Sequence, residues 1–233
     1  MGRGTSKAGI GARGGGMSKG VTSVSVGNTT IDLTGIPLVY GDKDAGVTGK
    51  ARTVVEAWED KRGKNKIEYN ISVDQDGNIV GDEVKGGRNS VRVPLYALGA
   101  DMIHTHIHPR AGENEQGVLG GTFSTGDLFN FANYDVATYR AKAKEGTYSI
   151  TKTKDFNKNQ GFKAYVKDIH DKHDNILSET MKNARSKLKN KTDTYEQYSK
   201  EFDKAFNTFL VSMHNDLLEG QKKYGYTYTL ERR

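Results

Sequence analysis

Three histidines occupy alternate positions of the segment IHTHIHPR, residues 103–110, and a proline follows the last of them. Side chains two residues apart share one face of a β-strand, so all three imidazoles are expected on one side of a strand that Pro109 ends. Two neighbouring imidazoles at a strand end can bind one metal ion. The proline sets the register in favour of His106 and His108, but the sequence leaves the pair of His104 and His106 open.

The segment FSTGDL, residues 123–128, provides a candidate third ligand. Ser124 followed by Asp127 is typical of a capping box at the start of a helix, which requires no chemistry. Asp127 also lies in the first helical turn and faces whatever lies beyond the helix N-terminus. Two imidazoles and one carboxylate leave a fourth tetrahedral position for water, as in a catalytic zinc site. Such a water needs a base, and Glu68, a polar residue in the otherwise apolar strand KIEYNISV, is the best candidate.

The order of these elements resembles a known motif. Glu68, then HIHP at 106–109, then SxxD at 124–127 resembles the JAMM motif of the JAB/MPN metallopeptidase superfamily. The resemblance covers about residues 66–153 and is closest to RadC-like and phage-encoded members. It implies a JAB/MPN-like fold and hydrolysis of a peptide or isopeptide bond in a peptide or protein substrate.

The resemblance also implies a role for each residue of the motif. His106, His108 and Asp127 would bind Zn²⁺, with Glu68 as the general base to the zinc-bound water and Ser124 orienting or stabilising the oxyanion. Two features depart from the family pattern. His104 replaces a residue that is usually apolar, and we interpret it as lying behind or beside the ligands. The long loop before Ser124 carries Glu113 and Glu115, which could cover the site, bind substrate or simply be exposed on a flexible loop; we favour the last.

Hydrophobic spacing predicts the elements that position these residues. Alternation predicts a hairpin in residues 21–40 around Gly27 and Asn28, and a second hairpin in KIEYNISVDQDGNIVGDEVKGG with its turn at Asp76 and Gly77. Further elements are expected in the following order: a helix in TGKARTVVEAWEDKRGK closed by Gly63, a strand at SVRVP, a short helix at LYALG, a strand at ADMIHTHIHP, a helix in STGDLFNFANYDVATYRAKAK and a strand at GTYSITKT. Interleaved strands and helices indicate an α/β or α+β fold with a mixed sheet.

From residue 161 onward, apolar residues recur at intervals of three and four. This spacing predicts two long amphipathic helices that form an antiparallel pair joined near Lys191 and Thr192, and YGYTYTLERR returns as a terminal strand. We therefore expect four parts. They are a disordered, glycine-rich basic tail at 1–20, a JAB/MPN-like core at 21–153, a helical hairpin arm at 154–222 and the last strand at 223–233.

Composition limits the remaining function classes. The chain has 233 residues, no cysteine and a net charge of +6. Disulfides and thiolate zinc sites are therefore excluded. No apolar run predicts a membrane span or a secretory signal, so we expect a cytoplasmic protein, in a host cell or a virion if phage-encoded. The tail carries four basic residues and no acid, which predicts weak nonspecific contact with nucleic acid.

Two alternatives to an enzyme remain open. One is a phage virion or assembly protein that keeps the fold as a binding module and docks a protein partner through the helical arm. The other is a RadC-like protein associated with DNA, an alternative that only the basic charge of the tail and of the arm supports. An open metal position beside a base favours the hydrolase, because a scaffold needs no base there.

Overall fold

The protein folds as a six-stranded mixed sheet with helices on both faces and a separate two-stranded hairpin, which confirms the predicted α+β class. The computed structural model describes residues 20–26, 28–33, 35–109, 117–156 and 160–232. The strands are β1 Ser23–Val26, β2 Thr29–Asp32, β3 Tyr69–Val73, β4 Val84–Lys85, β5 Ile103–Ile107, β6 Thr138–Lys142, β7 Thr147–Lys152 and β8 Tyr226–Glu231. The helices are α1 Gly49–Arg62, α2 Thr125–Asn133, α3 Gln160–Lys189 and α4 Tyr195–Tyr224, with a short 3-10 helix at Leu95–Leu98.

The large sheet has the strand order β4-β3-β5-β6-β7-β8, and β5 lies inside it with all five residues buried. Strands β5 and β6 are parallel and joined through α2, while the other neighbouring pairs are antiparallel. Helix α1 packs against β3 and β5, and α2 and α4 contact β6 and β8. A strand buried on both faces can present a different chemistry to each face.

The two faces of β5 are chemically distinct. Ile103 and Ile107 pack with Val55 of α1 in one apolar cluster. The residues between them, His104 and His106, therefore lie on the opposite face. The register places Asn70 of β3 opposite His106, so the polar side chains of both strands share that face.

Helices α3 and α4 have 30 residues each and form the predicted antiparallel pair. Phe162 and Val166 from the start of α3, and Val211 and Leu217 from the later part of α4, are buried in the apolar core beside the sheet. The half of the helical hairpin nearest the sheet is thus continuous with this core. Towards the connection near Lys191 most side chains are exposed. The proposed domain boundaries stay an interpretation.

One strand was missed by the sequence prediction. The segment STGDLFNFANYDVATYRAKAK was expected to form a helix, but α2 ends at Asn133 and β6 begins at Thr138. Tyr134 is already extended and ends the helix. Strand β6 then alternates, with Tyr139 on the histidine face and Arg140 on the face of α1, and it pairs with both β5 and β7.

The prediction of a strand at SVRVP was wrong, because residues 90–94 belong to no strand. Strand β3 pairs with β4 on one side and with β5 on the other, which leaves no open edge of β3 for this segment. Instead, the Asn70 side-chain amide donates a hydrogen bond to the carbonyl of Arg92 at 2.9 Å. The Asn70 side chain thus satisfies a backbone carbonyl that would otherwise pair with a neighbouring strand.

Several sequence predictions concern residues outside the described ranges. These are residues 1–19 of the basic tail, Gly27 in the first hairpin turn, and Glu113 and Glu115 in the loop before α2. Among the helices of the described ranges, none combines the length and apolar character that a membrane crossing requires.

Candidate metal centre

A cleft of about 250 Å³ opens where β5 ends and α2 begins. Its lining includes all five predicted site residues: Glu68, His106, His108, Ser124 and Asp127. They come from three places, namely the residue before β3, the end of β5 and the first turn of α2. The fold thus brings together residues that the sequence places up to 59 positions apart.

Three side chains converge closely enough to bind one cation. One ligand atom from each of His106, His108 and Asp127 lies within 4.8 Å of the others. The two histidine Nε2 atoms are 3.0 Å apart, and His106 Nε2 lies 3.7 Å from Asp127 Oδ2. Within the described ranges no other group of three such side chains meets this criterion.

His108 is oriented by a backbone carbonyl. Its own backbone N–H donates to Lys142 O at 2.8 Å, which extends the pairing of β5 with β6 by one residue. Its Nδ1 lies 2.9 Å from the carbonyl oxygen of Gly121, so Nδ1 carries the hydrogen and donates it. In a neutral ring this leaves a lone pair on Nε2, the atom that faces His106. Metal-binding histidines are commonly fixed in this way.

Burial keeps His106 neutral. Its side chain is almost fully buried, and this burial lowers its pKa to about 4, against the opposing attraction of Asp127. An uncharged imidazole is the form that binds a metal. The two facing Nε2 atoms are 3.0 Å apart, and both can bind one cation when His106 carries its hydrogen on Nδ1.

Asp127 is held by the predicted capping box. Ser124 Oγ accepts from Asp127 N at 3.2 Å, and Asp127 Oδ2 accepts from Ser124 N at 2.9 Å and from Ser124 Oγ at 2.6 Å. Burial alone raises the pKa of Asp127, but the neighbouring imidazoles and the bonds from Ser124 outweigh it, and the net shift is downward. The carboxylate is therefore ionised and aimed at the imidazoles.

Glu68 lies on the same face of the sheet as the converging histidines. The register of β3 with β5 places Asn70 opposite His106, and continuing it by two residues places Glu68 opposite His108. Burial raises the pKa of Glu68 to about 7; His108 opposes this shift and Asp127 adds to it. A carboxyl group with a pKa near neutrality can both accept and return a proton.

His104 is not part of the converging group. It is fully buried, its Nδ1 lies 3.0 Å from Ser72 Oγ, and its ring centroid is 4.6 Å from that of Tyr139. The geometry thus brings together the pair of His106 and His108 rather than the alternative pair with His104. His104 forms part of the wall behind His106, at a ring distance of 6.0 Å.

Two imidazoles and one carboxylate are a donor set that fits Zn²⁺. Comparison of the chain with protein-family models, curated proteins and solved structures finds no match. The resemblance to the JAMM motif therefore stays a prediction from the motif residues.

Some residues around the site were not predicted from the sequence. Asn130 of α2 and part of the segment 89–93 also line the cleft. Glu145 and Asn207 hold the chain segment that contacts His108. Asn207 offered one signal, because it is polar beside the apolar seam of α4, but its partners are about 90 residues away and could not be read from local pattern.

A larger groove, about 890 Å³, lies between α3 and α4. Its lining includes Ile176, Leu177 and Phe209 and none of the five predicted site residues. Volume alone does not make this groove the candidate site, since the three converging side chains and Glu68 line the smaller cleft. Docking of a protein partner on the arm stays a prediction.

Proposed function

We propose that the protein is a zinc-dependent hydrolase of the JAMM type that cleaves a peptide or isopeptide bond. The observation that carries this proposal is the convergence of His106, His108 and Asp127, with Glu68 lining the same cleft. A site that only stabilises the fold is usually closed by four protein ligands. Three ligands beside a carboxyl group form an open site with a base.

The protein residues would divide the work of hydrolysis. Zn²⁺ bound by the three ligands would supply a Lewis acid that polarises the carbonyl and lowers the pKa of a coordinated water. Glu68 accepts a proton from the attacking water as its oxygen bonds to the carbonyl carbon. Glu68 then returns that proton to the nitrogen as the C–N bond breaks and the amine leaves.

Ser124 has a second task in this scheme. Its hydroxyl donates to Asp127 Oδ2 at 2.6 Å while it lines the cleft. Rotation of the hydroxyl hydrogen towards the cleft would let Ser124 donate to the oxyanion of the tetrahedral intermediate. The backbone bond from Ser124 N to Asp127 Oδ2 would still hold the carboxylate.

The size of the cleft limits the substrate. About 250 Å³ is below the range of typical small-molecule pockets, and it accommodates an amide with one or two side chains rather than a folded surface. We therefore propose that the scissile bond lies in an extended peptide or in the tail of a conjugated protein.

The decisive experiment compares metal content with hydrolysis in matched variants. Wild type and Glu68→Gln are expected to bind about one zinc per chain by elemental analysis, whereas His108→Ala and Asp127→Ala are expected to lose it. Hydrolysis of a peptide library, followed by mass spectrometry, should fall in all three variants, by about 10²- to 10⁴-fold in Glu68→Gln because the base is lost. His170→Ala, a partly exposed histidine of α3 outside the cleft, is the control and should retain both properties.

Two results would contradict the proposal. Wild type that binds no zinc after purification without chelators and addition of the metal would favour the binding-module alternative. Hydrolysis by Glu68→Gln at the wild-type rate would exclude Glu68 as the base.

A further inference from the structure

We propose that Asn207 of α4 and Glu145, in the turn between β6 and β7, are positioning residues for the metal ligand His108. The helical hairpin then helps to position a metal ligand and is not merely an appended arm. This inference rests on the proposed function, because it concerns how the same site binds its metal.

The first contact is made by the side-chain amide of Asn207. Its Oδ1 accepts from the backbone N–H of Leu119 at 2.8 Å, and its Nδ2 donates to the carbonyl of Gly117 at 2.8 Å. Asn207 is buried. One side chain from α4 thus holds two backbone groups of the chain segment that leads into α2.

The second contact is made by the carboxylate of Glu145. Its two oxygens accept from two successive backbone N–H groups, Gly120 at 2.9 Å and Gly121 at 2.7 Å. Tyr148 Oη also donates to Glu145 Oε1 at 2.8 Å. This buried carboxylate fixes the peptide planes on either side of Gly120, and hydrogen bonds to a charged acceptor are the stronger kind.

These contacts converge on the carbonyl of Gly121, which accepts from Nδ1 of His108. Gly121 has a φ of +82°, a conformation that favours glycine. A Cβ on Gly121 would come within 2.6 Å of Leu210 Cδ2, so α4 also packs directly against this residue. Asn207 and Leu210 are three residues apart and lie on one face of α4.

A chain of hydrogen bonds therefore connects α4 with His108. Asn207 and Glu145 hold the segment 117–121, Gly121 orients the ring of His108, and the ring presents Nε2 to the cation. Loss of a residue that orients a metal ligand typically weakens metal binding by about 10- to 100-fold. Since coupling is reciprocal, bound metal must also stabilise the contacts of α4 with this segment.

The test measures metal affinity rather than turnover. Asn207→Ala and Glu145→Gln are expected to raise the zinc dissociation constant by about 10- to 100-fold, measured by competition with a chromophoric chelator. The visible spectrum of the Co²⁺-loaded protein should also change, because the ring of His108 is no longer held. Met213→Ala is the control: it truncates another buried side chain of α4, so it should destabilise the fold but leave the dissociation constant and the spectrum as in wild type.

A second measurement needs no variant. Adding zinc to the wild-type protein should slow hydrogen exchange at the amides of Leu119 and Gly121, whereas amides near Lys191 at the far end of the hairpin should not change. Unchanged exchange at residues 117–121, or zinc affinity in both variants equal to that of wild type, would overturn this inference and leave the proposed function standing. Failure of the wild type to bind zinc would overturn both.

Discussion

At the scale of single residues, both proposed ligands at the rim of the cleft are oriented by hydrogen bonds. His108 is oriented by the Gly121 carbonyl, and Asp127 by the backbone and hydroxyl of Ser124. The capping box explains why an acid at this position of a helix does not by itself indicate chemistry. Here the carboxylate of Asp127 belongs to the capping box and is also the proposed metal ligand. Ser124 should therefore affect both the stability of α2 and the binding of metal.

Removal of the Ser124 hydroxyl separates these effects. Ser124→Ala should lower the free energy of unfolding by about 1 kcal/mol, because α2 loses a cap, and it should also weaken zinc binding, because Asp127 loses one of its holding bonds. Urea denaturation in the presence of a chelator and zinc competition would measure the two quantities.

Thr194→Ala is the matched control for this substitution. Thr194 caps α4 with the same kind of capping box, formed with Gln197, away from the cleft. Thr194→Ala should lower the free energy of unfolding by a similar amount and leave zinc affinity unchanged. Equal zinc affinity in both variants would show that the cap does not orient Asp127.

At the scale of elements, the sequence predicted best where a signal was local. Alternation fixed the face of β5, the serine and aspartate fixed the start of α2, and both predictions agree with the structure. Strand β6 was missed because it follows α2 after four residues, without glycine or proline between them. The prediction of a strand at SVRVP was wrong for a nonlocal reason. The segment has β propensity, but both edges of β3 are already paired, with β4 and β5.

Strand β6 also carries a buried ion pair that no local pattern indicated. Arg140 is fully buried on the face of α1, with its Nε 2.8 Å from Oε1 of Glu59. Burial lowers the pKa of Arg140, but the charge and hydrogen bonds of Glu59 outweigh it, so the net shift is upward and the guanidinium stays charged. Thr105 also donates to the Glu59 carboxylate.

Breaking this pair should destabilise the fold strongly. Arg140→Met leaves the Glu59 carboxylate buried without its cation, and we expect a loss of about 3–5 kcal/mol in the free energy of unfolding. The double variant with Glu59→Leu should recover part of this loss, because the Glu59 carboxylate is gone and Glu231, which lies 3.4 Å from Arg140, keeps its ion pair with Arg52. Urea denaturation of the single and double variants checks the prediction, and a double variant less stable than Arg140→Met would contradict it.

At the scale of the whole molecule, the helical hairpin is joined to the sheet by polar contacts as well as by the core. His214 of α4 donates from Nε2 to the carbonyl of Val39 at 2.8 Å and accepts at Nδ1 from the hydroxyl of Tyr228 in β8 at 2.9 Å. Tyr228 is also hydrogen-bonded to Thr122, next to Gly121. Such contacts between distant segments depend on the complete fold and so lie beyond what sequence patterns can predict.

His214 makes stability depend on pH. Burial lowers its pKa to about 4 from the usual value of 6.5, while the bond to Val39 opposes the shift. The unfolded chain therefore binds a proton at a higher pH than the folded protein, and stability is lost as the pH falls from about 6.5 towards 4. The contribution of His214 alone amounts to about 3 kcal/mol over this range.

His214→Gln removes this titration. In chelator, wild type should lose about 3 kcal/mol more than the variant between pH 7.5 and pH 4.5, as measured by the urea dependence of unfolding. The variant is expected to be less stable at pH 7.5, and the comparison uses only the slope with pH. Parallel pH profiles for the two proteins would show that His214 is not responsible.

The length of the helical hairpin also creates an opportunity for measurement. Thirty residues at the α-helical rise extend about 45 Å, and Lys189 is exposed near the far end. Since the chain contains no cysteine, a single thiol introduced at Lys189 would be unique in the molecule. A fluorophore attached there would report on the hairpin at a distance from the proposed metal centre.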